Sequence, residues 1–220
     1  MLKTLLLVTF MLSSVCVGKT LQINTSVPDN FLKTHQAYIN FNAALAQLNI
    51  EAEFIYKPKK RAIFELNNGL GDGDLARTHI DLAKFPNIIK VPVPVGKTRI
   101  SLYYSPKRLA TTITKPSQLT NLHLGYVKGW VAYQNVALQG KRHSGVVDAA
   151  SLLRILKSGR FDAVVLEHGL GEHINRKLNY LPDDYISSDV LISEPLYFFL
   201  HKKHQPLADK LAQAFTKNKV

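Results

Sequence analysis

Gly71-Asp72-Gly73-Asp74-Leu75-Ala76, set beside Gly159-Arg160-Phe161-Asp162-Ala163-Val164 roughly ninety positions later, decides the fold. Each Gly-x-x-Asp follows an apolar segment with helical spacing, Ile63 to Leu70 and Ala149 to Leu156, and each leads into a short run fit for a buried strand. A helix that ends at glycine, turns on aspartate and feeds a strand is half of a strand-helix-strand unit. Two such units in one chain predict a pair of α/β lobes, and the space between lobes is where small ligands are commonly held.

Working outward, the first copy sits in a run of strand, helix, strand and helix. Leu21 to Asn24 alternates as a half-buried strand, and Phe31, Ala37, Tyr38, Phe41, Ala44, Leu45 and Leu48 recur at three and four as a core-facing helix. Glu51 to Tyr56 alternates again, and a helix from Lys59 to Leu70 follows Pro58. The second copy follows a similar plan, with strands at Leu122 to Val127, Lys141 to Val146 and Asp162 to Glu167. Its helices are predicted at Val131 to Leu138, Ala149 to Lys157 under an Asp148 cap, and His168 to Arg176. Arg99 to Ser105 and the late apolar run Leu191 to His201 read as strands that pass between the lobes, and Gln205 to Phe215 as a terminal amphipathic helix. Two chain crossings make a natural hinge.

Residues 1 to about 18 carry one early cation, Lys3, and then an uncharged apolar run from Thr4 to Val17, the pattern of a secretory signal rather than of a membrane span. The expected location is therefore the periplasm. Cys16, the single cysteine, lies inside this segment, so a mature chain has no thiol for disulfides; lipidation at Cys16 is disfavoured by Val15 just before it. The formal charge of +12 is spread along the chain, and no zinc-ligand spacing, helix-turn-helix, Walker loop or Gly-x-Ser-x-Gly elbow accompanies it. An anionic ligand fits this balance better than nucleic acid, and no cofactor or metal is expected.

With these residues in view, the chain resembles the periplasmic solute-binding proteins of family 3, which include the amino-acid-binding proteins of ABC importers. The likeness rests on Tyr56-Lys57-Pro58 to Arg61, Gly71 to Arg77, Pro86-Asn87-Ile88, Gly125 to Trp130, Gly159 to Glu167 and Pro195-Leu196-Tyr197 before the Leu207-Ala208 helix. It implies a two-lobed, type 2 periplasmic-binding-protein-like α/β fold, each lobe a mixed sheet flanked by helices. The expected division is a signal peptide at 1–18, a discontinuous first lobe of 19–97 plus 187–220, and a second lobe of 98–186. The family pattern also places an arginine shortly before the hinge strand to clamp a ligand carboxylate; here that stretch reads Leu82-Ala83-Lys84-Phe85-Pro86.

Candidate ligand contacts follow from strand ends, where parallel sheets open toward their ligands. Arg77 ends the first lobe's inner strand and offers a fork for a carboxylate, or else an internal ion pair with Asp72, Asp74 or Asp81. Glu167 ends the matching strand of the second lobe, where the resemblance implies an acceptor for a ligand ammonium. Trp130, the only tryptophan, offers a stacking wall. Tyr103 on a crossing strand, Ser26 and Tyr56 complete the set. The expected activity is capture of a small polar, amino-acid-like carboxylate without chemistry, by a monomer serving an inner-membrane permease or sensor. A sensing module and a cyclohexadienyl-dehydratase-like enzyme are the alternatives.

Overall fold

In the computed structural model, which describes residues 20–179 and 185–217, two aspartates organise two similar halves. The predicted signal segment, Cys16 included, lies outside the described residues. The first half contains β1 (Leu21–Thr25), α1 (Asp29–Leu32), α2 (Gln36–Gln47), β2 (Ala52–Tyr56), α3 (Lys59–Asn67), β3 (Gly73–Arg77) and β4 (Ile88–Lys90). After β5 (Gly96–Tyr104) and a 3-10 turn at Pro116–Leu119 come β6 (His123–Val127), α4 (Val131–Ala137), β7 (Arg142–Val146), α5 (Ala149–Lys157), β8 (Ala163–Glu167), α6 (Leu170–Lys177) and β9 (Ile186–Ser187). β10 (Ile192–His201), a 3-10 turn and α7 (Gln205–Lys217) complete the order.

The strands run β2-β1-β3-β10-β5-β8-β6-β7, so the order 2-1-3 of the first half is mirrored across the centre by 8-6-7. Within each half these strands are parallel. The centre is antiparallel: Ile192 to Leu196 of β10 pair with Ile100 to Gly96 of β5, while the rest of β10 pairs with β3 and β4 and the rest of β5 with β8. β5 and β10 thus each belong to both halves. β4 pairs only with β10 among the described strands, an edge position, with Pro92 and Pro94 just beyond it, where no ladder donor is needed.

The true register of the internal repeat differs by two residues from the sequence reading. Gly69 and Gly159 hold φ +75° and +77°, each bonding back to its helix through Gly69 N to Leu66 O and Gly159 N to Leu156 O. Three residues later, Asp72 N donates to Gln22 O and Asp72 Oδ2 accepts from Gln22 N at 2.9 Å. Asp162 does the same with His123, its carboxylate accepting at 2.7 Å. Asp162 therefore matches Asp72, not Asp74, because only Asp72 follows the left-handed glycine by three. Arg77 and Glu167 consequently occupy equivalent strand ends.

Packing follows the apolar faces. Leu152, Leu153 and Leu156 bury one side of α5, whose N-terminus is capped by Asp148 accepting from Ser151 N and whose last turn carries Arg154 and Lys157. They join Ile100, Leu124, Val164 and Leu166 in the core of the second half, while Ile23, Phe41, Phe198, Leu211 and Phe215 form that of the first, with Phe41 and Phe198 rings 4.4 Å apart, and Leu66, Ile80, Ile88 and Phe199 form a smaller cluster. No helix among the described residues is long and apolar enough to cross a membrane.

Candidate ligand-binding cleft

Where the carboxyl ends of β3 and β8 face one another, the halves enclose about 480 Å³ of space, part of it open to solvent. Val27, Phe31, His35, Lys59, Ala76 and Thr78 line it from the first half, and Trp130, Tyr133 and Glu167 from the second. Two wider spaces adjoin it. One shares Lys59 and Trp130 and runs toward Ser26, Tyr56, Lys128 and Asp148; the other shares His35 and Glu167 and runs toward Lys97 and Arg99.

Lys59 opens α3, whose first turn holds no acidic residue, so its ammonium meets the positive end of a helix. Burial first, then the neighbouring Arg77, bring it down from 10.5 to about 7, with Asp74 and Glu167 acting the other way. Its ammonium lies 5.2 Å from the centroid of Trp130.

Glu167 ends β8 and is 6% exposed. It accepts from Thr98 Oγ1, from the Tyr133 hydroxyl at 2.8 Å, and from Arg99 N at 3.0 and 3.2 Å to its two oxygens. The Thr98 and Tyr133 hydroxyls are 2.7 Å apart. Burial raises the Glu167 carboxyl above its ordinary value against the pull of these bonds. Burial, then the charge of Glu167, also raises the Tyr133 phenol.

The helix expected across Phe31 to Leu48 is two helices, α1 and α2, separated at Lys33 to His35. Apolar spacing continues through the break and hides it. His35 causes the second start: its Nδ1 accepts from Ala37 N at 3.2 Å as the cap of α2. An accepting Nδ1 places the neutral ring's proton on Nε2. Burial, then Arg99 and Lys59, lower the His35 imidazole to about 4. The break also brings Phe31 into the cleft, against His35 and against His173 of α6, with ring centroids 6.0 and 5.7 Å away.

Of the residues expected at the site, Trp130 and Glu167 line the central space, and Ser26 and Tyr56 line the adjoining one. The Ser26 hydroxyl donates to Lys57 O at 2.9 Å, and Tyr56 stands exposed at the rim. Arg77 is turned inward. Its fork meets both oxygens of Asp74 at 2.7 and 2.9 Å, and the same terminal nitrogen donates to Lys59 O at 2.7 Å, which is the internal ion pair left open by the sequence. The reason is Ala76, held at φ +67° beside a register shift between Tyr197 and Phe199 of β10. Ala76 and Thr78 then reach the cleft while Arg77, at 3% exposure, does not line it. Tyr103 faces the second core, its hydroxyl donating to Glu172 Oε2 at 2.6 Å and accepting from Gly169 N; burial, then Glu172, raise its phenol.

Lys59 and His35 were not among the expected contacts. The legible signal for Lys59 was a cation at the first helical position after Pro58, where the helix dipole disfavours it. No group of three metal-ligating side chains occurs among the described residues.

No family model and no curated protein sequence matches this chain. Solved structures do. The GluR0 ligand-binding core in complex with L-glutamate superposes with a TM-score of 0.74 at 13% identity, covering 91% of this chain and 92% of that one. This is the type 2 periplasmic-binding-protein fold. Arginine-bound ArgBP from T. maritima shares it at a TM-score of 0.69 and 17% identity over 91% and 96% of the two chains. So does a histidine kinase sensor domain with similarity to periplasmic binding proteins, at 0.71 and 12% over 91% and 90%. Lys59, Trp130 and Glu167 line the space at the carboxyl ends of the parallel strands, where open α/β sheets commonly hold ligands.

Proposed function

We propose that this chain is a periplasmic solute-binding protein that closes its two lobes on a small, polar, carboxylate-bearing ligand of amino-acid size. One observation carries the reading. The Lys59 ammonium, half-buried and without a hydrogen-bonded partner among the described residues, lies in the same cavity as the Thr98, Tyr133 and Glu167 cluster, with Trp130 as a wall. A desolvated cation at a helix start is stabilised by an incoming anion, and the low dielectric of a closed cleft strengthens that contact. Lys59 takes the anion-binding role expected of Arg77, whose fork is engaged by Asp74.

The reading is one of binding without chemistry. An ancestral amino-acid-binding protein described as a precursor of cyclohexadienyl dehydratase shares the fold at 16% identity, which keeps the enzymatic alternative a matter for assay. The likeness to a histidine kinase sensor domain favours a second use of the same cleft, in which the bound state is reported to a membrane partner.

Thermal unfolding of the purified protein against amino acids, dicarboxylates, aromatic acids and polyamines tests the proposal. A ligand at one hundred times its dissociation constant adds about 2.7 kcal/mol and raises the midpoint by about 5 to 10 °C. The same assay with prephenate or arogenate, followed by product analysis, separates binding from turnover.

A further inference from the structure

The donors and acceptors around the cleft are unequal. Six cations line the central space and its two extensions: Lys59, Lys97, Arg99, Lys128, Arg154 and Lys177. None forms a side-chain ion pair among the described residues. Among the described residues only two carboxylates, Asp148 and Glu167, line the same spaces, and both are engaged. Asp148 accepts from Ser151 N and Ser151 Oγ, each at 2.8 Å, as the cap of α5.

Glu167 is engaged more completely. Its oxygens take the Arg99 backbone N–H and the hydroxyls of Thr98 and Tyr133, and those hydroxyls touch each other. Both hydroxyls and the Arg99 N–H thus occupy the acceptors of one buried carboxyl group. Burial raises that carboxyl above its ordinary value, against the pull of these bonds. A ligand ammonium arriving there has to displace hydroxyl donors already in place. Across the space, His35 presents an Nε2–H donor and Lys59 an ammonium, so the open groups are donors.

We infer that the cleft selects acids that carry no cationic amino group, such as dicarboxylates or aromatic carboxylates, over the corresponding α-amino acids. This inference rests on the solute-binding reading and names its ligand class. The carboxylate meets Lys59 and the His35 Nε2–H, and the Thr98, Tyr133 and Glu167 triangle stays closed as a wall whose acceptors are already engaged. The ligand body packs between Phe31, Trp130 and Tyr133, and any second carboxylate extends toward the cations of the adjoining spaces.

Matched pairs test it on the unaltered protein by calorimetric titration: succinate against aspartate, glutarate against glutamate, and 3-phenylpropionate against phenylalanine, with arginine and spermidine as cationic controls. The expected result is that at least one acid binds ten-fold or more tightly than its amino partner. A rise from 50 to 500 mM salt weakens that binding several-fold. An amino partner that binds as tightly as its acid, or a cationic control that binds best, overturns the inference and leaves the solute-binding reading standing. No binding by any of these compounds or by the wider panel overturns both.

Discussion

The ammonium of Lys59 stands 5.2 Å from the ring centroid of Trp130, and the two residues come from opposite halves of the molecule. Lys59 heads α3 beside β3, whereas Trp130 precedes α4 and packs on Tyr133 at 4.9 Å. The contact is a seam between lobes and a wall of the cleft at once. Trp130→Ala removes an 8%-exposed side chain and costs about 3 to 5 kcal/mol in urea unfolding. Trp130→Phe keeps an aromatic face and loses less than half of that. Equal losses would mean that an aromatic face alone does not hold the seam.

Titration of Lys59 gives a pH signature. Burial first, then Arg77, lower its ammonium to about 7, while the unfolded chain holds that proton up to 10.5. The unfolded state thus binds more protons between these values, and the stability that passes through this group rises with pH across the window. Binding of an anion that needs the ammonium moves the other way. Its affinity falls by up to about ten-fold per pH unit above 7. Lys59→Met abolishes the fall, and a wild-type affinity that is flat from pH 7 to 9 would remove Lys59 from the binding account.

Arg77 is predicted to matter for folding rather than for ligand choice. It and Asp74 form a buried two-pronged pair, 3% and 1% exposed, so Arg77→Met leaves a carboxylate buried without its partner. The expected cost is about 3 to 5 kcal/mol. The double change Arg77→Met with Asp74→Leu recovers part of it, which denaturant midpoints will show. Full stability of the single variant, together with lost ligand binding, would return Arg77 to the site.

Asp72 and Asp162 are equivalent in the repeat but unequal in their surroundings. Both clamp the first residues of a neighbouring parallel strand, yet Asp72 also meets His204 at 2.7 Å and Lys203 at 2.8 Å. Burial raises the Asp72 carboxyl, and the bonds from Gln22, Lys203 and His204 outweigh it and hold the group well below the usual range. Asp72→Ala is therefore expected to lose about 1 to 3 kcal/mol from each severed charged hydrogen bond, and more in total than Asp162→Ala. Stability contributed through Asp72 is present above pH 3.8 and declines as acid protonates it. Equal urea midpoints for the two variants would contradict the ranking.

The two-lobed plan was legible because the same turn is written twice: a left-handed glycine, then aspartate three positions later, then an apolar run. The register of the repeat was harder to read. Gly71-Asp72-Gly73-Asp74 offers two aspartates, and only the φ of Gly69 shows which one counts. Glu167 and Trp130 were legible as a strand end and a strand-to-helix turn. Lys59 and His35 were not, because their placement depends on tertiary events: the inward turn of Arg77 at Ala76, and a helix break that apolar spacing carries straight through. Tyr103 lies on a strand that could present either face, and the close approach of Gly171 to its ring settled the matter, since a Cβ at Gly171 would sit 2.2 Å from Tyr103 Cε1.

The most direct test of binding between the lobes uses the chain's only tryptophan. Titrating the protein with the carboxylates that raise its unfolding midpoint, while following Trp130 fluorescence, reports on the cleft itself. The account predicts a saturable change in emission with the same dissociation constant as calorimetry, strongly weakened in Lys59→Met. A ligand that stabilises the protein and leaves Trp130 emission unchanged would place the binding site elsewhere and contradict the account.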